Sequence, residues 1–388
     1  RLGECYLEGT VVPKDAEESF QWFRKSAELG NPAAVNMVGR CYMDGNGVEQ
    51  DQEKAFQYFQ KASEAGDESA MFNLADCYFN GLGTEQSEEQ AVPWYQKAAE
   101  ANISIAQYML GTCYHFGKGV SPNEELALHW LRKAAEQDYV GAQYALGTLL
   151  FRNEDSGEND AEAVRWLERA AELGDIGSQV KLGVCYQDGY NVLEQGKVCF
   201  KENMEKAVEL FRNAAEQGDA EGQFQLANSY RFGLGVKKNV PEMLHWLRLS
   251  AMQGYAEAQY ALGICYQDGI GVKADIEKAM DWYERSAAQN YPDAICSVGM
   301  YYLDEEDDVE TAKRLVYKAA QMDCLEAQYL MGMFLYEGDD SEEDEEAVAW
   351  FRMAARYQNH GGAMGMLGYC YMNGTGVEQD DEMARVWL

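Results

Sequence analysis

Ala-Gln-Tyr-Ala-Leu-Gly-Ile-Cys-Tyr-Gln-Asp-Gly-Ile-Gly-Val, residues 258–272, holds the pattern that decides the fold. Ala258, Leu262 and Tyr266 fall at i, i+4 and i+8, on one stripe of an α-helix, as do Ala34, Val38 and Tyr42. Gly269-Ile270-Gly271 breaks that helix, because glycine readily takes the left-handed backbone that closes a helix. A second helix then carries Ala279, Trp282-Tyr283 and Ala287-Ala288 as its apolar face. The unit is an αα-hairpin too small to bury its own apolar surface.

A large apolar residue, a Gly or Ala, two further residues and then Tyr recur along the chain. The small residue falls at Gly3, Gly39, Ala75, Gly111, Gly147, Gly183, Ala227, Gly263, Gly299, Gly332 and Gly368. Every interval is 36 residues, except 44 from Gly183 to Ala227 and 33 from Gly299 to Gly332. The pattern therefore describes an array with 44 − 36 = 8 extra residues within 189–200 and a deletion of three after Gly299. The unit from Gly147 to Leu182 departs further, with Leu150 in place of Tyr and no Gly-x-Gly. Elsewhere the loop returns as Gly45-Asn46-Gly47, Gly81-Leu82-Gly83, Gly117-Lys118-Gly119, Gly233-Leu234-Gly235 and Gly374-Thr375-Gly376. Pro13, Pro122 and Pro241 precede second helices, and Pro32 and Pro292 fall between units. Pro93 sits inside a second helix and predicts a kink or a late start there. Stacked hairpins share one continuous core, and the small residues let neighbouring helices approach closely.

The fold expected is all-α, a right-handed superhelix (solenoid) of two-helix repeats of about 36 residues, with residues 1–388 forming one solenoid of about ten units. Both ends, Arg1-Leu2-Gly3 and Trp387-Leu388, read as cut from a longer protein. Hydrophobic residues make up 47% and charged residues 25%, so the chain should fold. Asp and Glu number 66 against 32 Lys and Arg, a formal net charge of −34 that repels phosphate backbones and anionic lipid. Nucleic acid and membrane surfaces are thereby poor partners, and no apolar run reaches the roughly 20 residues that span a bilayer.

Ala-x-x-x-Leu-Gly-x-x-Tyr, Gly-x-Gly-Val and Lys-Ala-x-x-Trp-Tyr-x-x-Ala-Ala-x-x-Gly together resemble the Sel-1-like repeat, a relative of the tetratricopeptide repeat, and residues 258–290 match it almost position by position. The resemblance covers nearly the whole chain. It implies an adaptor that holds protein partners and is not an enzyme, with no cofactor. A secreted, cysteine-rich branch of the family, with a disulfide in each repeat and a link to penicillin binding, is one alternative; a regulatory module of a larger enzyme is another.

Cys5, Cys41, Cys77, Cys113, Cys185, Cys265 and Cys370 share one slot, immediately before the recurrent Tyr or its equivalent. That slot adjoins the core stripe, where small thiols are common fillers. Each unit has one such thiol, and equivalent slots lie on the order of 10 Å apart, beyond disulfide reach. The seven are expected to be buried and reduced, which favours a reducing, cytoplasmic compartment. Cys199, Cys296 and Cys324 lie off the slot, and Cys199, in the insertion, is expected to be exposed. The Gly-x-Gly loops lack the Lys-Ser/Thr of a phosphate loop. Asp44-Gly45-Asn46 has the wrong order for a calcium loop. His115, His129, His245 and His360 form no metal or catalytic pairing, and the acidic runs at 304–310 and 339–346 read as solvated connectors.

The binding surface is expected on the concave side, along the first helices. Three residues before the small residue stand Phe72, Tyr108, Tyr144, Phe224, Tyr260 and Tyr329. At 100° per residue that slot is about 160° from the core Leu. One and four residues after the small residue come Arg40, Met43, Asp76, Phe79, His115, Phe151, Asn228, Arg231, Met300, Met333 and Tyr336. Aromatics, Met and Arg together suit a protein or peptide ligand, and the acidic surface suits a basic one. The same rings could instead pack against the next unit.

Overall fold

The computed structural model describes residues 1–151, 157–188, 203–304, 308–336, 341–356 and 360–388, and among these are 22 α-helices and no strand. The chain falls into two compact bodies, one up to Leu182 and one from Gly183 onward. Within each body helices pack in chain order, first helix on second and second on the next first, as in an α-solenoid.

Local chemistry sets the helix ends. Second helices start on short polar side chains that accept from the first free backbone N–H groups: Asp51 from Lys54 at 2.9 Å, and Asn123 from Leu126 at 2.9 Å. First helices stop at a left-handed glycine, such as Gly45 at φ 71° or Gly81 at φ 72°. The second glycine of each loop is held by two constraints. Gly83 has φ 69°, and a Cβ there would stand 2.0 Å from the Gln52 carbonyl oxygen, because the loop lies on the start of the preceding hairpin's second helix.

The recurrent small residue has an equally direct cause. A Cβ on Gly39 would lie 2.7 Å from the Phe59 ring, one on Gly111 2.8 Å from Leu131, and one on Gly263 2.5 Å from Tyr283. Each glycine makes room for a large core side chain of the second helix, and residues in that position, such as Tyr95, Phe211 and Phe351, are fully buried. Between hairpins the left-handed turn is made by Gly30, Gly66, Gly174, Gly218 and Gly254, or by Asn102, Asp138, Asn290 and Asp323. Asn and Asp tolerate that backbone better than other side chains.

Pro32 and Pro292 open their helices, and Pro241 follows one residue into its own. Pro93 departs from the expected late start, since its helix begins at Glu88 and runs through to Glu100. Pro93 is on the exposed face, so water can serve the Glu89 carbonyl that the ring deprives of its donor. Part of the second acidic run also differs from a connector, because Ser341–Glu346 form the start of a helix. Carboxylates there face the positive end of the helix dipole.

A polar network joins successive hairpins. Gln107, Gln143, Gln223, Gln259 and Gln328, all buried, donate from Nε2 to the carbonyls of Ala99, Ala135, Ala215, Ala251 and Ala320 at the ends of the preceding helices. In three places the same glutamine accepts from another 30 residues on: Gln107 from Gln137 at 2.7 Å, Gln223 from Gln253 at 2.8 Å, and Gln259 from Gln289 at 2.9 Å. Buried serines tie the two helices of a single hairpin, Ser250 donating to the Ala220 carbonyl at 2.6 Å and Ser286 to that of Ala256 at 2.8 Å. Arg132 and Glu162 close a bidentate pair at 2.8 and 3.0 Å.

Candidate interaction surface

The residues expected on the ligand face lie on first helices, and in several hairpins a second-helix ring seated on the small residue packs against them. In the first body, Phe72 and Phe79 flank Tyr95 at ring-centre distances of 5.9 and 6.0 Å, and the Tyr95 hydroxyl donates to Asp76 Oδ1 at 3.4 Å. Asn80 donates to Asp76 as well, at 2.9 Å. Burial outweighs both bonds and raises the Asp76 pKa. In the second body Tyr260 lies 5.5 Å from Tyr283, whose hydroxyl donates to Gln267 at 2.8 Å, and Tyr329 and Tyr336 lie 6.0 and 6.4 Å from Phe351.

The slot three residues before the small residue has a second neighbour, the residue that opens the next first helix. Tyr108 meets Tyr139 at 5.2 Å, Phe224 meets Tyr255 at 5.4 Å, Tyr260 meets Tyr291 at 5.4 Å, and Tyr329 meets His360 at 4.6 Å. Tyr144 leans on the backbone of Gly177 and stays 37% exposed. Phe72, Tyr108, Phe224, Tyr260 and Tyr329 are thus half-buried, and Tyr144 is exposed. Arg40 is exposed, His115 stacks edge-on against Phe116 at 4.5 Å, and the Arg231 guanidinium lies 5.2 Å from the Phe232 ring. Met43, Phe151, Asn228, Met300 and Met333 are half-buried. Sequence spacing puts these residues on first helices but does not show the joints, since the partner ring arrives from another hairpin.

Six of the seven in-slot cysteines are buried, and burial pushes the thiols of Cys41, Cys113 and Cys370 up to about 11 and that of Cys77 up to about 12. Cys5 departs from expectation and is only half-buried, because its helix packs on a single neighbour, Ala16–Glu28. Cys199, the rest of the insertion at 189–200, and residues 305–307 and 339–340 of the acidic runs lie outside the described residues. His129 and His245 are exposed and meet Trp130 and Trp246 edge-on at 5.1 and 5.0 Å. His360 caps its helix through Nδ1, which accepts from Ala363 N–H at 3.0 Å. Among the described residues no three His, Cys, Asp or Glu could hold a metal ion, and no helix is long and apolar enough to cross a membrane.

Hairpin units with this loop and this core define a repeat protein of the tetratricopeptide-like class. The Sel1 repeat model matches ten segments, 1–31, 32–67, 68–103, 104–139, 140–175, 176–219, 220–255, 256–291, 325–356 and 362–388, and the chain belongs to the Sel1 repeat family. Residues 292–324, between two matched segments, form one more hairpin from Pro292–Asp304 and Val309–Gln321. Among solved structures the chain is similar to c5321, a protective antigen of uropathogenic Escherichia coli displaying an SLR fold. That likeness has 31% identity and a TM-score of 0.72, over 95% of this chain and 78% of the other. A Sel1 repeat protein from Oxalobacter formigenes, also 31% identical, matches with a TM-score of 0.57 over 65% of this chain and 96% of its own. No curated protein matches the chain. Sel1 repeats are generally protein–protein interaction modules, and the family is generally non-catalytic.

Proposed function

We propose that this chain is a non-enzymatic scaffold that takes a basic protein or peptide along its first helices. The observation that carries the reading is the repetition, on successive first helices of each body, of half-exposed rings beside polar side chains: Phe72, Asp76 and Phe79 on one helix, Tyr108 and His115 on the next. A row of like positions spaced hairpin by hairpin suits an extended chain better than a small molecule. The net charge of −34 supports a basic ligand and argues against nucleic acid. Thiols kept protonated by burial suit a reducing compartment, the cytoplasm.

A peptide array graded in net charge tests this. Basic peptides should be retained, with on-rates that fall as salt rises, and acidic or neutral peptides should not. Equal retention of acidic peptides, or salt-independent on-rates, would overturn the charge argument. Combined Tyr108→Ala, Tyr144→Ala and Tyr260→Ala substitution should weaken the best peptide by a few kcal/mol at rings that act as ligand contacts. Unchanged affinity per folded molecule together with a lowered melting temperature would assign those rings to packing alone.

A further inference from the structure

Cys296, in the helix Pro292–Asp304, occupies the slot three residues before Gly299, which holds Tyr108, Phe224, Tyr260 and Tyr329 in other hairpins. In those hairpins the slot ring meets a ring at the residue opening the next first helix. Here that residue is Cys324, directly ahead of Leu325–Tyr336. A pair of rings has been replaced by a pair of thiols, and both residues line one cavity. Cys324 Sγ donates to Asp293 Oδ1 at 3.5 Å.

The exchange leaves space. Both sulfurs line a cavity of about 470 Å3, bounded also by Tyr260, Tyr283, Met300 and Glu326. Cys41, Cys77, Cys113, Cys185, Cys265 and Cys370 fill core slots, whereas these two share an opening large enough for a small molecule.

We propose that Cys296 and Cys324 form a reversible dithiol–disulfide site whose co-substrate is a small organic disulfide admitted to this cavity. Interaction between the two side chains holds the Cys324 thiol below the usual range and pushes that of Cys296 up, so Cys324 is the attacking sulfur. Its thiolate attacks one sulfur of the reagent; a Cys324–S–S–R bond forms, the reagent's S–S bond breaks, and RS⁻ leaves as RSH with the proton Cys324 gave up. The Cys296 thiolate then attacks Cys324 Sγ and displaces the second RS⁻, which takes the Cys296 proton. Two protein thiols are oxidised by two electrons, and one disulfide is reduced to two thiols. The link would tie two successive first helices together.

The test incubates the full chain with oxidised glutathione, alkylates it, and maps its peptides without reduction. The expected product is a Cys296–Cys324 linked peptide lighter by two hydrogens, reversed by dithiothreitol, with Cys41, Cys77 and Cys113 still alkylated after unfolding. Cys296→Ser should accumulate glutathione on Cys324, and Cys324→Ser should leave Cys296 unmodified. Recovery of both residues as thiols while another cysteine, such as Cys199, takes up glutathione would overturn the proposal, as would a link from either to a different cysteine. Far-UV circular dichroism of the two serine variants verifies their fold, and the result on the unaltered chain decides the matter on its own.

Discussion

Leu173→Gln should stabilise the first body, an uncommon expectation for a single substitution. Gln143 donates to the Ala135 carbonyl at 3.2 Å, but its own buried Oε1 accepts no hydrogen bond. In three other joints that oxygen is served from a glutamine 30 residues on, at 2.7, 2.8 and 2.9 Å. Thirty residues after Gln143 stands Leu173, 55% exposed, in the place that Gln137 and Gln253 fill at the ends of their helices. A new neutral hydrogen bond contributes about 1 kcal/mol, relief of a buried unmet acceptor about 1–3 kcal/mol, and fixing a glutamine side chain costs up to about 2 kcal/mol. The net expectation is about 1 kcal/mol of added stability. Urea unfolding reads it as a raised midpoint, and hydrogen exchange around residues 135–143 localises it, which matters in an array whose unfolding need not be two-state. In a Gln143→Met background the gain should vanish. No gain in the parent chain, or the same gain with Met at 143, would refute the reasoning.

Other expectations rest on different features. Gly83→Ala should cost about 2–4 kcal/mol, because it adds overpacking against the Gln52 backbone to left-handed strain. Gly66→Ala, at φ 88° with nothing within 4 Å of the new Cβ, should cost about 1 kcal/mol; equal losses in urea unfolding would remove the clash from the account. Asp76 has a folded pKa raised above 3.8, so the unfolded chain releases that proton first and stability falls as pH climbs through the carboxylate range from 3.8 upward. The stability of Asp76→Asn relative to the parent should therefore rise over that window, and a flat difference in melting temperature would contradict it. At pH 7 Cys41, Cys77 and Cys113 should react with a disulfide reagent only as the chain unfolds, their thiols being held at about 11, 12 and 11; rapid native-state labelling of these three would refute that.

The repeat length, the loop glycines, the proline positions and the Ala, Leu and Tyr stripe were all legible, since each is a local matter of helix phase or backbone freedom. Gly39 is intelligible from sequence as a small residue, yet only the structure shows that Phe59 is what it admits. The rings expected on the ligand face show the same limit. Phase puts Tyr108 and Tyr260 far from the core stripe, but their burial depends on Tyr139 and Tyr291, which arrive from the next hairpin. Cys296 and Cys324 looked like two stray thiols, because the slots they share with ring pairs emerge only when hairpins are stacked. Gln259 was readable as part of Ala-Gln-Tyr; that its amide binds two neighbours at once was not, and the recurrence of Gln at that position was the available signal. The late helix start expected at Pro93 does not occur, because a missing donor is harmless where water reaches the carbonyl it would have bonded.

The bridges described between hairpins, Gln107 with the Ala99 carbonyl, Arg132 with Glu162 and the loop glycine Gly83 on Gln52, each join immediate neighbours in the chain. A joint of this kind carries its donor on one side and its acceptor on the other, so every hairpin brings both halves. Duplicating a whole unit, or excising one, leaves no donor or acceptor stranded, whereas a cut inside a unit strands several at once. Array length is thereby free to drift in steps of one repeat, and the polar contacts that fix the register of two hairpins also make them interchangeable as parts.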